Sequence, residues 1–143
     1  MTDKGWARMF ARVMVGTLFF MAGWWKCFEL TPMAHARGAF VEGYADSWIP
    51  AFLLWGLGLA IPVVELVAGA LLIVGWRTRE ALTTVGFVLL MVTYGHALDE
   101  PLYSIQGHIL PRGLLMLIAL VLPSEEDKLS VDSWLSRRAT TTR

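Results

Sequence analysis

The sequence predicts an all-α membrane protein, a four-transmembrane-helix bundle with an external amphipathic segment between spans one and two. Hydrophobic residues make up 56% of the 143-residue chain and charged residues 17%, whereas ordinary soluble domains have about 45–50% and roughly 25%. Four segments are apolar over nearly the length that a membrane-crossing helix needs, about 20 residues. Tryptophans also lie near the segment ends, where amphipathic rings meet the lipid headgroups.

The four predicted spans belong to a single transmembrane domain that covers residues 1–143. They run over about 6–26, 50–76, 79–98 and 107–123, and the last is the shortest. Lys4, Arg8 and Arg12 resemble the charged region of a secretory leader. The apolar run of the first span ends in "GWWKC" rather than in a small-x-small cleavage site, so we expect this span to be retained.

The segments outside the predicted spans have distinct patterns. In the connection before the second span, "AFVEGYADSW" places apolar side chains at helical spacing: Phe40, Val41, Tyr44 and Trp48. This is typical of an amphipathic helix on the membrane surface or over the end of the bundle, and we expect a short helix on the lipid headgroups. The tail, residues 124–143, is polar and is expected on the cytoplasmic face.

The distribution of lysine and arginine predicts the orientation of the spans. With four spans, both termini lie on one side, and that side holds nine of the 12 basic residues: Lys4, Arg8, Arg12, Arg77, Arg79, Lys128, Arg137, Arg138 and Arg143. The other side holds Lys26, Arg37 and Arg112. Because cytoplasmic loops carry the excess of basic residues, we expect an integral protein of a bacterial or archaeal cytoplasmic membrane with both termini cytoplasmic.

Glu65 is an unusual residue because it lies near the middle of the apolar second span. A charge at mid-membrane costs about 2.5–3.5 kcal/mol on insertion scales, so Glu65 should face the bundle interior and have a partner. At 1.5 Å per residue, Glu65 and Arg112 both lie roughly 16 Å above the cytoplasmic edge, and Arg12 lies roughly 9 Å above it. Lys26 lies at the far surface. We therefore predict that Arg112 pairs with Glu65, that Arg12 is the second choice, and that Lys26 is a poor partner.

Other polar residues are predicted to lie outward of this pair and to form a cavity in the outer half of the bundle. His108 lies one turn outward of Arg112 on the same helix face, and Tyr94 and His96 lie near the outer end of the third span. Catalytic residues cannot be assigned. The candidate binding residues are Glu65, Arg112, His108, His96, Tyr94 and Arg12.

Pro62 is a second unusual feature of the second span. It has no N–H to donate to the carbonyl of Gly58, which leaves that oxygen available to a side chain, water or ligand. The alternative is that these features are structural. Glu65 and Arg112 are then an ion pair that fixes helix packing, and Pro62 is merely tolerated in a membrane helix.

Composition excludes several classes of function. The net charge is zero and no basic cluster is interleaved with aromatics in a soluble region, so nucleic acid is not an expected partner. The single cysteine, Cys27, excludes an intrachain disulfide. Three histidines without a ligand spacing do not indicate a metal site. The sequence has no ligand set for haem, flavin or an iron–sulfur cluster, so no intrinsic cofactor is expected.

Several motifs resemble those of one family. "RVMVGTLFFMAGWWK" has an arginine, two glycines and a lysine around an apolar run: Arg12, Gly16, Gly23 and Lys26. "ELVAGALLIVG" fits E-x-x-x-G-x-x-L-x-x-G, and "DKLSVDSWL" contains S-x-D at Ser130 and Asp132. With His96 ending the third span, the chain from about Arg12 to Leu135 resembles the DoxX family of small four-span membrane proteins. "LPSEED" departs from the family pattern, and the fourth span matches it only weakly.

The resemblance implies membrane redox chemistry, either electron delivery to quinone or partnership with oxidoreductases. One hypothesis is therefore a redox subunit with a quinone-type site, for which polar side chains at membrane depth supply hydrogen bonds and proton relays. Its electrons would come from another membrane or redox protein subunit. The alternative is a non-catalytic accessory subunit of a larger membrane complex. A solute carrier is a weaker third hypothesis, since no inverted repeat is evident. Whether the chain is an enzyme stays open.

Overall fold

The computed structural model describes residues 1–99 and 105–141, and every regular element within them is helical. The main helices are α1 (Asp3–Trp24), α2 (Pro32–His35), α3 (Ala51–Val74), α4 (Thr78–Asp99), α5 (Ile105–Val121) and α6 (Val131–Thr141). Two π-helical stretches, Trp25–Glu29 and Ala36–Glu42, flank α2, and a 3-10 turn, Ser124–Glu126, lies between α5 and α6. The predicted all-α class is confirmed.

Two of the described helices, α3 and α4, are long and apolar enough to cross a membrane. A third span results if Asp3–Glu29 and Pro32–Glu42, which are bent by 102° relative to each other, form one broken span. The apolar part of α5, Ile109–Val121, is shorter. The described residues therefore support an integral membrane protein with two or three candidate spans. The four-span bundle stays a prediction.

α1 packs against α3 at two glycines. A Cβ on Gly23 would lie 2.3 Å from the backbone nitrogen of Leu66, and one on Gly69 would lie 2.4 Å from that of Phe20. Such small residues allow two helix backbones to approach closely. Buried apolar side chains of α1, α3, α4 and α5 form the core, among them Val15, Leu72, Leu82, Val85 and Ala119.

The N-terminus of α1, the turn between α3 and α4, and the end of α5 meet at one end of the bundle, which we call the inner end. Gly75 ends α3 in the left-handed region, with φ of 73°. A Cβ there would lie 2.6 Å from Cβ of Ser130, so this turn requires glycine. The tail is held against the turn, because the N–H of Asp132 donates to the carbonyl of Gly75 over 2.9 Å.

The connection between α1 and α3 covers the opposite end, which we call the outer end. Thr31 turns the chain with φ of 71°, and its side chain accepts a hydrogen bond from the N–H of Ala34 at the start of α2. The connection then packs on α3 so closely that a Cβ on Gly58 would lie 2.5 Å from Cα of Ala36. The amphipathic segment was expected on the lipid headgroups. In the structure it has the alternative placement, over the end of the bundle, with Phe40 against the core.

Candidate ligand-binding site

Glu65 forms its ion pair with Lys26. The distance between Lys26 Nζ and Glu65 Oε2 is 2.6 Å, and the side chains are 20% and 6% exposed. The prediction that Arg112 is the partner of Glu65 is therefore wrong, and so is the placement of Lys26 beyond its reach. The prediction set the start of α1 level with the end of α3. In the structure, Gly23 lies against Leu66, so α1 is shifted along α3. Lys26 lies one turn beyond Gly23, and the shift brings it level with Glu65.

The two arginines predicted to pair with Glu65 lie elsewhere. Arg112 is partly buried, and its Cζ lies 6.0 Å from the ring centroid of Phe19. Arg12 is buried at the inner end, where its Nε donates to Asp127 Oδ2 over 2.8 Å. Its Nη1 also donates to the carbonyl of Ile73 over 2.8 Å. Arg12 therefore donates to carbonyls in the last turn of α3, where the helix supplies no donor. Its predicted role as the second partner of Glu65 is wrong as well.

A cavity of about 540 Å³ lies at the outer end, between α3, α4 and the connection that covers them. Apolar side chains of α3 and α4 form two of its walls, among them Leu53, Leu57, Ile61, Met91 and Val92. Aromatic side chains of the connection and its flanks form another, with Trp25, Phe40, Tyr44 and Trp48. The polar side chains that line it include Lys26, His35, Tyr94 and His96.

The predicted site residues are therefore divided between three places. Tyr94 and His96 line the cavity, and Glu65 lies behind the lining residue Lys26. Arg12 belongs to the inner end, and Arg112 lies against Phe19. His108 is part of α5, but its side chain lies outside the described part of the structure. Their role in binding stays a prediction.

His35 is a cavity residue that the sequence did not indicate by itself. Its Nδ1 lies 2.8 Å from the carbonyl oxygen of Gly58, the oxygen that Pro62 leaves without its helical donor. The prediction that this oxygen is available to a side chain is confirmed. Because a carbonyl only accepts, Nδ1 carries the proton, and the Nε2 of neutral His35 is an acceptor. The unpaired carbonyl was the signal that a donor from the connection was needed.

The connection also contacts α4 across the mouth of the cavity. A Cβ on Gly95 would lie 2.8 Å from the hydroxyl of Tyr44. The ring of Phe40 lies between those of its neighbours, with centroid distances of 5.5 Å to His35 and 6.4 Å to Tyr44. A small residue at position 95 thus lets the connection bridge α3 and α4.

The inner end holds a separate polar cluster, whose groups bind one another and the ends of the helices. Arg8 donates to the carbonyl of Leu122. The carboxylate of Asp132 accepts from the backbone N–H groups of Arg77 and Thr78, each over 2.8 Å. This is the geometry of a cap on the N-terminus of α4, although the cap comes from a distant part of the chain. These contacts fasten the tail to the bundle.

Among the side chains that the structure describes, no three from His, Cys, Asp or Glu lie close enough together to hold a metal ion. Cys27 follows Lys26 in the π-helical stretch and is a partly buried free thiol. The polar groups that line the cavity are an ammonium, imidazoles and hydroxyls, set within apolar and aromatic walls.

Comparison with known families gives a match to the first two thirds of the chain. The family model of the methylamine utilisation protein MauE matches residues 4–99, about two thirds of the chain. The matched part contains nearly all of α1, the connection, α3 and all of α4. It therefore includes the Lys26–Glu65 pair and all the cavity residues named above. The match supports a membrane-protein family, and the resemblance to DoxX is supported only to that extent. Comparisons with curated proteins and with solved structures find no match.

Proposed function

Since the chain belongs to the family of the methylamine utilisation protein MauE, we propose that it is an integral membrane protein with a redox-associated role and a quinone-type ligand in its outer cavity. Methylamine is a reduced one-carbon amine, so its use as a nutrient releases electrons that an acceptor must take up. A lipid-soluble quinone is such an acceptor. The resemblance to DoxX, whose relatives are linked to quinone, favours the same chemistry.

The observation that carries this proposal is the Lys26–Glu65 pair at the edge of a largely apolar cavity. Small-molecule sites are typically concave, roughly 300–1,000 Å³ in volume and mostly apolar, with a few polar groups that fix orientation. The cavity of about 540 Å³ fits that description. Its aromatic wall suits a flat ring, and the ammonium of Lys26 can donate to a ring carbonyl.

Reduction of a quinone to a quinol takes two electrons and two protons. We assign proton transfer to His96, which lines the cavity, and to Glu65, which would exchange protons with the ligand through Lys26, because a carboxylate or imidazole can pass a proton to a hydrogen-bonded group. Neutral His35 can accept a hydrogen bond from the quinol hydroxyl through Nε2. The electrons come from a partner, since the sequence contains one cysteine and no ligand set for a redox cofactor. The expected partner is a membrane or redox protein subunit.

Ligand analysis of the purified protein tests the proposal. Solvent extraction of protein kept in mild detergent should release a quinone, and a short-chain benzoquinone should quench the fluorescence of Trp25 and Trp48. The double variant Lys26→Met, Glu65→Leu removes the donor without leaving an unpaired carboxylate. Its affinity should fall about tenfold or more, because a hydrogen bond to a charged group is worth roughly 1.5–3 kcal/mol.

The control for this measurement is Arg37→Met, which removes a cation from the exposed Arg37–Glu42 pair in the connection. This control should bind the benzoquinone like the unmodified protein. Failure of the unmodified protein to bind it, or equal affinity in the double variant, would overturn the quinone-type site.

A non-catalytic accessory subunit is the second candidate. The observation that favours it is that the charges of Lys26 and Arg12 are each neutralised by a carboxylate of the same chain, Glu65 and Asp127 respectively. Ion pairs of this kind can serve only to fix how the helices pack. In that case, the Lys26→Met, Glu65→Leu variant should support the activity of the native membrane complex at the unmodified level. Loss of that activity with normal assembly would reject the accessory role.

A further inference from the structure

Building on the proposed function, we infer that the Lys26–Glu65 pair makes the outer cavity selective for an electrically neutral ring with a hydrogen-bond-accepting oxygen, against the anionic form of such a ring. The basis is the net charge of the pair and its position at the cavity wall.

Lys26 is the member of the pair that faces the ligand. It lines the cavity and its side chain is 20% exposed, whereas that of Glu65 is 6% exposed. An ammonium has three N–H donors. Among the residues that the structure describes, Glu65 accepts one hydrogen bond from Lys26, which leaves two donors for an oxygen atom of the ligand.

Glu65 sets the charge that the ligand meets. Its carboxylate lies 2.6 Å from the ammonium, and the pair together carries no net charge. A neutral carbonyl bound to Lys26 leaves the cavity neutral. An anion at the same place adds an uncompensated negative charge in a largely apolar cavity, next to a second carboxylate, and such burial is strongly unfavourable.

The walls of the cavity support the same selectivity. Leu53 of α3 and Met91 and Tyr94 of α4 line the cavity and also have exposed side chains. Exposed faces of membrane-crossing helices meet lipid, so a ligand passing these residues comes from the bilayer. Neutral molecules partition there far more readily than ions.

Removal of the negative charge of Glu65 should make the cavity prefer the anionic ring over the neutral one. In Glu65→Gln, Lys26 keeps its charge and loses its counter-ion, so the cavity becomes net positive. An anionic ring then neutralises a buried charge, while a neutral ring does not. The matched control is Glu42→Gln, which removes the same charge from an exposed ion pair in the connection and should leave the preference unchanged.

The probes are 1,4-naphthoquinone, which is neutral, and 2-hydroxy-1,4-naphthoquinone, which is an anion at neutral pH. Binding is measured by tryptophan quenching on detergent-solubilised full-length protein. We expect the unmodified protein and Glu42→Gln to bind the neutral probe at least about tenfold more tightly than the anion, a factor that corresponds to roughly 1.4 kcal/mol. Glu65→Gln should bind the anion more tightly than the neutral probe.

The outcomes separate the two proposals. If the unmodified protein binds neither probe, the quinone-type site itself is wrong. If it binds the anion as tightly as the neutral probe, the site stands and the charge selectivity is wrong, a result that needs no variant to fold. An unchanged preference in folded Glu65→Gln would also overturn the selectivity.

Discussion

Arg12 and Asp127 form an ion pair buried at the inner end of the bundle, with 2.8 Å between Nε and Oδ2 and side chains that are 2% and 1% exposed. The two residues are separated by 115 positions in the sequence. Arg12 also donates to the carbonyls of Leu72 and Ile73. The pair therefore joins α1, the end of α3 and the start of the tail.

Breaking this pair should strongly destabilise the protein. Loss of one partner leaves the other charge buried and unpaired, which typically costs about 3–5 kcal/mol. Asp127→Leu should therefore lower the melting temperature in detergent markedly. The control is Glu42→Ala in the exposed Arg37–Glu42 pair, where roughly 0–1 kcal/mol is expected. Equal melting temperatures for the two variants would contradict a stabilising role for Asp127.

The carboxylate of Asp132 should stabilise the α3–α4 turn through its hydrogen bonds to the N–H groups of Arg77 and Thr78. Asp132→Ala removes both acceptors, and loss of a helix cap costs about 0.5–2 kcal/mol. We expect a lower melting temperature and faster proteolysis after Arg77. Asp46→Ala, at an exposed position of the connection, is the matched control. A variant as stable as this control would show that the cap contributes nothing.

His35 should be coupled to Pro62 through the carbonyl of Gly58. His35→Ala leaves that oxygen without its recorded donor, and an unsatisfied buried group costs about 1–3 kcal/mol. Pro62→Ala restores a backbone N–H that can donate to the same oxygen. The destabilisation by His35→Ala, measured by thermal unfolding, should therefore be smaller in the Pro62→Ala background. Strictly additive effects would contradict the shared acceptor.

Labelling of Cys27 tests the predicted orientation. Cys27 follows Lys26 at the outer end and is a partly buried free thiol. If both termini are cytoplasmic, a membrane-impermeant maleimide added to intact cells should label Cys27. In a Cys27→Ser background, Gly38→Cys should be labelled from outside, and Ala139→Cys only after permeabilisation. The reverse pattern for the two introduced cysteines would contradict the orientation.

The sequence predicted the helices better than the pairing between them. Apolar length located α3 and α4 to within about two residues, and Pro62 correctly indicated a carbonyl in need of a donor. Counting residues from the helix ends placed Lys26 too far from Glu65, because it set the start of α1 level with the end of α3. In the structure, α1 is shifted along α3, so that Gly23 lies against Leu66. The pairing of Arg12 with Asp127 could not be predicted from the sequence either, since no local periodicity relates positions that are 115 residues apart.

The free energy of interaction between Lys26 and Glu65 tests the central claim most directly. It is obtained from thermal unfolding of Lys26→Leu, Glu65→Leu and the double variant. Each single change leaves an unpaired charge and should cost about 3–5 kcal/mol, while the double variant should recover much of that loss. In the corresponding double-mutant cycle of Arg112→Leu and Glu65→Leu, the two destabilisations should add, since Arg112 lies against Phe19. Additive effects for Lys26 and Glu65, with non-additive effects for Arg112 and Glu65, would contradict the account.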